Sequence, residues 1–570
     1  MKINGYELNL SEEQLDDIIN NKMRTIELVD KNFPGYQNLT DGNKKALEHL
    51  VAAARVFNDV AMEQDHELNL SMKKALEEAA KGSTHAAKAL KLFTSFRGVE
   101  GHNGIDLEPV EIFKGVKGAK GRNFYPSDLS EKEFHEIITR MINNGKIDEV
   151  KKILSVRTMV RRDGADLKAI DYTEYFADEF SQAANELEVA AHYTTDEDFK
   201  DYLGWQAQAL LQNNEDMDML ADKHWAVLQN NNQLEFTLGR ESYDDELTPT
   251  IYNNPDLMKL IDEHKIEVNP KDMLGVRVGI INKEGTDLIL KFKEHMPELA
   301  KLMPYADQYH QSISDGEELK QTMVDVDLVA LTGDYAQCRG AITTAQNLPN
   351  NDKLAIKTGG GRRNAYHRQV RQSGDKERNK KLLERLVAPE LHKYFDLEAD
   401  HLFVIGHENG HSLGPDNEYQ RNLGLYRSTI EEEKADTVSI AFMPEYVKAG
   451  VIDEETLKKI YTTWVAYRLF LKAQPLEAHR VGELIHFNFM HDNGAFWFDD
   501  EHKLHINFDK FHDVIMAMLK ETIEVQLSKS AEKAKAFIDK YTNWGKVPQY
   551  IAMVQKELGV KNYIEIRDHF

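Results

Sequence analysis

Apolar residues recur at spacings of three and four from about Asp41 to Leu92, through ALEHLVAAARVFNDVAMEQ, with few breakers before Gly98, Gly101 and Gly104. This period predicts a helical layer. It returns over Tyr172 to Leu211, where Phe176, Phe180, Ala183, Leu187 and Ala190 share one stripe, and predicts a second layer. Between about Leu234 and Asn350 the texture changes to short β-branched or apolar runs such as LGVRVGII and DVDLVALTG, bounded by Gly, Asn and Asp. These runs predict strands. From Asn379 onward helical periods resume, most clearly in VIMAMLKETIEVQL and AEKAKAFIDKY. The expected fold is mostly α with a smaller β region.

A chain of 570 residues exceeds what one hydrophobic core usually organises, so two lobes with a cleft between them are expected. Three regions divide the chain: residues 1–250, mostly helical; 251–378, containing the strands and a crossover; and 379–570, helical. The Gly-rich, basic stretch KTGGGRRNAYHRQVRQ is the candidate crossover. Its Arg362, Arg363, Arg368 and Arg371 read as a solvated basic loop, with carboxylate binding as the alternative. Its glycines lack the Lys-Ser/Thr of a phosphate loop.

Charge narrows the partners. With 71 Lys+Arg against 96 Asp+Glu, the net charge is −25, which repels nucleic acid and anionic membrane surfaces. No stretch reaches the ~18 apolar residues of a membrane span, and the N-terminus has no apolar leader segment. A cytoplasmic location is expected. The lone Cys338 cannot form an internal disulfide, so any metal site is built from His, Asp and Glu.

Such a site is present in HLFVIGHENGHSLGP, which contains His407-Glu408-Asn409-Gly410-His411. On a helix, residues four apart share a face, so two imidazoles reach one zinc ion while Glu408 is directed to its water. A chain of this composition gives roughly 0.1 such patterns by chance, so context matters. The apolar LFVI run anchors the helix, Gly414 and Pro415 end it, and Gly410 costs about 1 kcal/mol against Ala, which points to a close backbone approach. Catalytic zinc needs a third protein ligand. In STIEEEKAD, Glu432 and Asp436 are four apart, so one face offers a ligating carboxylate and a second carboxylate to orient a histidine. The competing reading is a helix start, with Ser428 and Glu431 forming a capping box.

HENGH followed by EEEKAD resembles the dipeptidyl peptidase III family of zinc metallopeptidases and its bacterial relatives. GRNFYPSDLS, LEFTLGRESYDDEL, DLVALTGDYAQCRGAITTAQNLPNND and LGLYRSTIEEEKAD resemble family segments in the family's order, so the likeness extends from about Leu39 to near the C-terminus. The resemblance implies two lobes that close on a peptide, one Zn2+ held by His407, His411 and Glu432 in the helical lobe, Glu408 as general base, and Asp436 orienting a ligand. It further implies that Glu241 receives the peptide's amino group, Tyr243 steadies the reacting carbonyl, Asn347 and Asn350 hold the N-terminal end, and His479 joins the active site. From the residues alone, Asn347 and Asn350 read first as turn chemistry, Tyr243 as a half-buried strand residue and His479 as a packed or solvated side chain. Two departures stand out. This chain has HExxH where the best-known members have HExxGH, and its His411–Glu432 segment is short for the family, which implies a reduced loop near the metal.

The expected activity is release of dipeptides from the N-termini of short peptides. The alternatives are a zinc hydrolase of another amide or ester, and an inactive peptide-binding protein.

Overall fold

The computed structural model describes residues 1–102, 109–228, 232–241, 244–311, 321–337, 345–348, 362–415, 419, 421–470, 478–559, 561 and 563–570. It is mostly helical with a smaller sheet region, as the periodicity predicts. Two large hydrophobic cores organise it. One draws residues from Val29 to Ala330, the other from Ile289 to Val554.

The first core is built around helix α1 (Asp41–Asp65), which starts where the Thr40 side chain accepts a hydrogen bond from the Asn43 amide. Such a cap satisfies one of the orphan amides of the first turn. Leu47, Leu50, Ala54, Phe57 and Ala61 are among its buried residues. Against it lie α2 (Ala177–Tyr193) and α3 (Glu197–Leu211). The predicted Asp41–Leu92 layer is in fact several helices, because the chain turns after Asp65 and again at Lys81–Gly82.

The central region forms a five-stranded sheet. Its strands are β1 (Leu234–Glu241), β2 (Met273–Asn282), β3 (Gln321–Gly333), β4 (Ala345–Leu348) and β5 (Arg362–His367), in the order β4-β5-β3-β2-β1. Only β3 and β5 are parallel. LGVRVGII lies within β2, and DVDLVALTG within β3.

The basic stretch corrects one expectation. Part of it, Arg362–His367, is an interior strand rather than a loop, and Arg363, Arg368 and Arg371 are held in ion pairs rather than solvated. Arg363 is fully buried and pairs with the equally buried Glu235 at 2.8 Å, while Arg368 and Arg371 both pair with the buried Asp325. Each arginine is neutralised by a carboxylate from a strand distant in sequence. That is the condition for burying a charge.

The second core gathers α4 (Leu397–Gly410), α5 (Arg427–Lys448), α6 (Ala478–Asp492) and α7 (Phe508–Leu527). At the ends of the chain, Tyr563–Arg567 pairs in parallel with Met23–Glu27. Among the described residues, no helix is long and apolar enough to cross a membrane.

Candidate metal centre

Helix α4 is buried on most sides, including His401, Leu402, Phe403, Val404 and Ile405, so the LFVI run does anchor it. Two glycines one turn apart let it approach α5 closely. A Cβ on Gly406 would collide with the Ser439 hydroxyl, and one on Gly410 would lie 2.8 Å from the Ala435 carbonyl oxygen. The Gly406/Gly410 face of α4 thus meets the Ala435/Ser439 face of α5, and the Ser439 hydroxyl donates to the Phe403 carbonyl at 2.7 Å. Lys434 locks the end of α4. Its buried ammonium donates to the carbonyls of Gly410 (2.8 Å) and Leu413 (2.7 Å) and pairs with Glu431 at 2.9 Å. The Gly410 carbonyl, at the helix end, also accepts from the Leu413 amide at 3.1 Å, so Lys434 ties the last turn of α4 to the residues that follow it.

This packing brings the predicted ligands together. His407 and His411 present Nε2 atoms 3.1 Å apart. Glu432 Oε2 lies 3.4 Å from His407 Nε2 and 3.7 Å from His411 Nε2. It is buried without a hydrogen-bond partner. Tetrahedral zinc with ligands at ~2.0–2.1 Å sets its ligand atoms roughly 3.3–3.4 Å apart, so the three atoms already stand at the spacing that zinc requires. Among the described residues, these three form the one group of His, Cys, Asp or Glu side chains able to hold a metal ion. Two imidazoles and a carboxylate are a donor set typical of catalytic zinc.

The far side of each imidazole is braced by a carboxylate. His407 Nδ1 is 2.6 Å from Asp436 Oδ1, and His411 Nδ1 is 3.0 Å from Glu431 Oε1. Donation through Nδ1 leaves Nε2 free to bind a cation. Burial disfavours charge on His407, but Asp436 outweighs it and pushes the imidazole up to about 9. Burial likewise opposes ionisation of Asp436, and His407 outweighs that, holding the carboxyl at about 2.

Sequence reasoning anticipated Asp436 and missed Glu431, which entered it only through the competing capping-box reading. Helix α5 begins two residues earlier than that box requires, at Arg427, and has no side-chain cap, which leaves Glu431 to brace His411. The signal was available: Glu431 precedes the expected ligand Glu432, and a second histidine needed an orienting partner. Lys434 was also missed, since a lysine in an acidic run reads as surface.

Glu408 follows His407 on α4, partly exposed, and its charge bears on buried Tyr366 of β5. Tyr366 stacks edge-on against His401 of α4 at 5.6 Å. His479, near the start of α6, reaches the same centre: its Nδ1 is 3.4 Å from Glu432 Oε2, with 58% of the side chain exposed. Glu241 lies elsewhere, at the end of β1 in the sheet, where burial pushes its carboxyl up to about 7. Asn347 lies on β4, opposite Asn364 of β5. Tyr243, Asn350 and Cys338 lie outside the described residues.

No family model matches the chain. A relative in Arabidopsis thaliana, Nudix hydrolase 3, is 22% identical across 88% of this chain and 68% of that protein. Two solved structures share the fold. DPP III from Caldithrix abyssi has a TM-score of 0.78 at 23% identity, covering 95% of this chain and 97% of that one. Dipeptidyl-peptidase III from Corallococcus sp. strain EGB has a TM-score of 0.73 at 20% identity, covering 98% and 97%. The chain has the fold of these structures.

Proposed function

We propose that this chain is a zinc-dependent peptidase that releases dipeptides from the N-termini of short peptides. The observation that carries the reading is the convergence of His407, His411 and Glu432 at zinc spacing, beside Glu408, with a carboxylate behind each imidazole. The fold shared with two dipeptidyl-peptidase III structures supports the substrate class.

When bound, zinc supplies Lewis acidity, polarising the scissile carbonyl and lowering the pKa of a water toward ~7. Glu408 takes the proton from the attacking water and hands it to the leaving amine. Tyr243 hydrogen-bonds the oxygen that gains charge, and His479, mostly exposed beside Glu432, faces the reacting group. Glu241, Asn347 and Asn350 hold the free N-terminus two residues from the cut. Because Glu241 belongs to the sheet and the metal ligands to the helical core, the reading includes a cleft between two lobes that closes on the peptide and excludes water.

Glu408→Gln should retain zinc and lose nearly all turnover, and retained activity would remove Glu408 as the base. Cleavage products of a peptide library, read by mass spectrometry, test the register: dipeptides from free N-termini are expected. Equal cleavage of N-acetylated peptides would instead favour a zinc hydrolase of another amide or ester.

A further inference from the structure

Three glycines stand side by side across three neighbouring strands. Gly239 of β1 is opposite Gly275 of β2, and Gly275 is opposite Gly333 at the end of β3. Gly333 has a φ of 60° and its Cβ position is crowded by the carbonyls of Leu274 and Phe57, so the backbone there has room only for glycine. The chain then makes a short 3-10 turn over Asp334–Ala336. That turn lays the Tyr335 ring back across the glycines. A Cβ on Gly239 would land in the phenol end of the ring, and one on Gly275 would lie 2.9 Å from its Cγ. The ring is also 5.9 Å from the guanidinium of Arg277, which is itself buried and fixed by Thr237 and His367.

A phenylalanine would fill this seat equally well, so packing alone does not account for the hydroxyl. It donates to Glu241 Oε1 at 3.4 Å. Glu241 is 9% exposed, and a buried carboxylate needs donors. We propose that Tyr335 is a positioning residue: seated on the glycine row, its hydroxyl holds the Glu241 carboxylate in the orientation that receives a cationic amine, the chemistry of a peptide's free N-terminus. This rests on the reading of Glu241 as the amine receptor.

The electrostatics agree. Burial is the largest influence raising Glu241, with Asp272 adding to it, while the Tyr335 hydrogen bond and Arg277 pull the other way. Removing the hydroxyl deletes an influence that favours the ionised carboxylate, so the Glu241 carboxyl should rise further.

The test measures kcat and KM from pH 5.5 to 9 on a dipeptidyl aminocoumarin amide with a free amine, using the zinc-loaded full chain and its Y335F, G239A and E241Q variants. Since 3.4 Å is a long hydrogen bond, Y335F should move the acid limb of kcat/KM up by about half a pH unit and raise KM at pH 7 about two- to fivefold, with kcat nearly unchanged. G239A, which pushes the phenol off its seat, should move both in the same direction; should it fail to fold, Y335F carries the test. If E241Q raises KM while Y335F leaves KM and the acid limb in place, the Tyr335 proposal is overturned alone. If E241Q leaves KM unchanged, the amine-receptor reading falls and takes the proposal with it. A loss in kcat without a KM change in Y335F would also overturn it.

Discussion

Replacing Gly410 by Ala sets two effects against each other. Alanine is favoured over glycine in a helix by about 1 kcal/mol, less at this last helical position, so local propensity predicts stabilisation. The packing predicts the reverse. The new Cβ would lie 2.8 Å from the Ala435 carbonyl oxygen, 3.0 Å from its Cα and 3.3 Å from its carbonyl carbon. All three are backbone atoms of α5 and cannot swing aside. Comfortable contact is about 3.5 Å, so the helices must separate by roughly 0.6 Å, and overpacking of this kind costs about 1–3 kcal/mol. The fold should lose about 1 kcal/mol net. The metal centre should lose more, because His411 is the next residue and Glu432 lies on the other helix, while metal–ligand distances tolerate only about 0.2 Å. Zinc affinity should fall at least tenfold, measured by chelator competition with zinc read by mass spectrometry and melting curves with and without the ion. Gly406→Ala provides the contrast: its Cβ would meet the Ser439 hydroxyl and lie 3.0 Å from both the Met443 methyl and Ser439 Cβ, one fixed contact against three, so its effect should be smaller. A Gly410→Ala protein that binds zinc as tightly as the parent and melts higher would refute the reasoning.

Removing the brace on His407 should reshape the pH dependence of metal binding. With His407 at about 9 in the zinc-free site, zinc must displace a proton, so apparent affinity should rise about tenfold per pH unit between 7 and 9. Asp436→Asn should flatten that slope and bind zinc about 10–100-fold more weakly above pH 9. A raised histidine stabilises the zinc-free fold fully below its unfolded value of 6.5 and loses that contribution as pH climbs through about 9. The zinc-free Tm should therefore carry a falling component across that window, absent in Asp436→Asn. Lys434→Met removes the buried ammonium that the Gly410 and Leu413 carbonyls and Glu431 share, and should cost about 3–5 kcal/mol in urea unfolding.

The parts of the fold legible in the sequence are those set by local spacing. The stripe from Phe176 to Ala190 marks α2 because a helix repeats its buried face every three to four residues, and His407 and His411 declare a shared ligand face for the same reason. Glu432 and Asp436 follow that logic one helix later. Glu431 was hidden by a local alternative: the capping box at Ser428 satisfied the same residues until the helix proved to start at Arg427.

The sheet follows a different rule. Arg363 and Glu235 are 128 residues apart in sequence, and nothing near either residue announces the pair. Composition places arginines on the surface, so a buried arginine strand reads as a loop until the register joins it to its carboxylate. The same register puts Gly239 beside Gly275 and Gly275 beside Gly333, making from three scattered glycines a seat for Tyr335. Chemistry on α4 and α5 is thus encoded in spacings of one turn, whereas chemistry at Glu241 depends on which strands become neighbours. A change on β2 or β3 far from Glu241 in sequence can therefore alter its carboxylate, while His407, His411 and Glu432 respond chiefly to changes along their own helix contact.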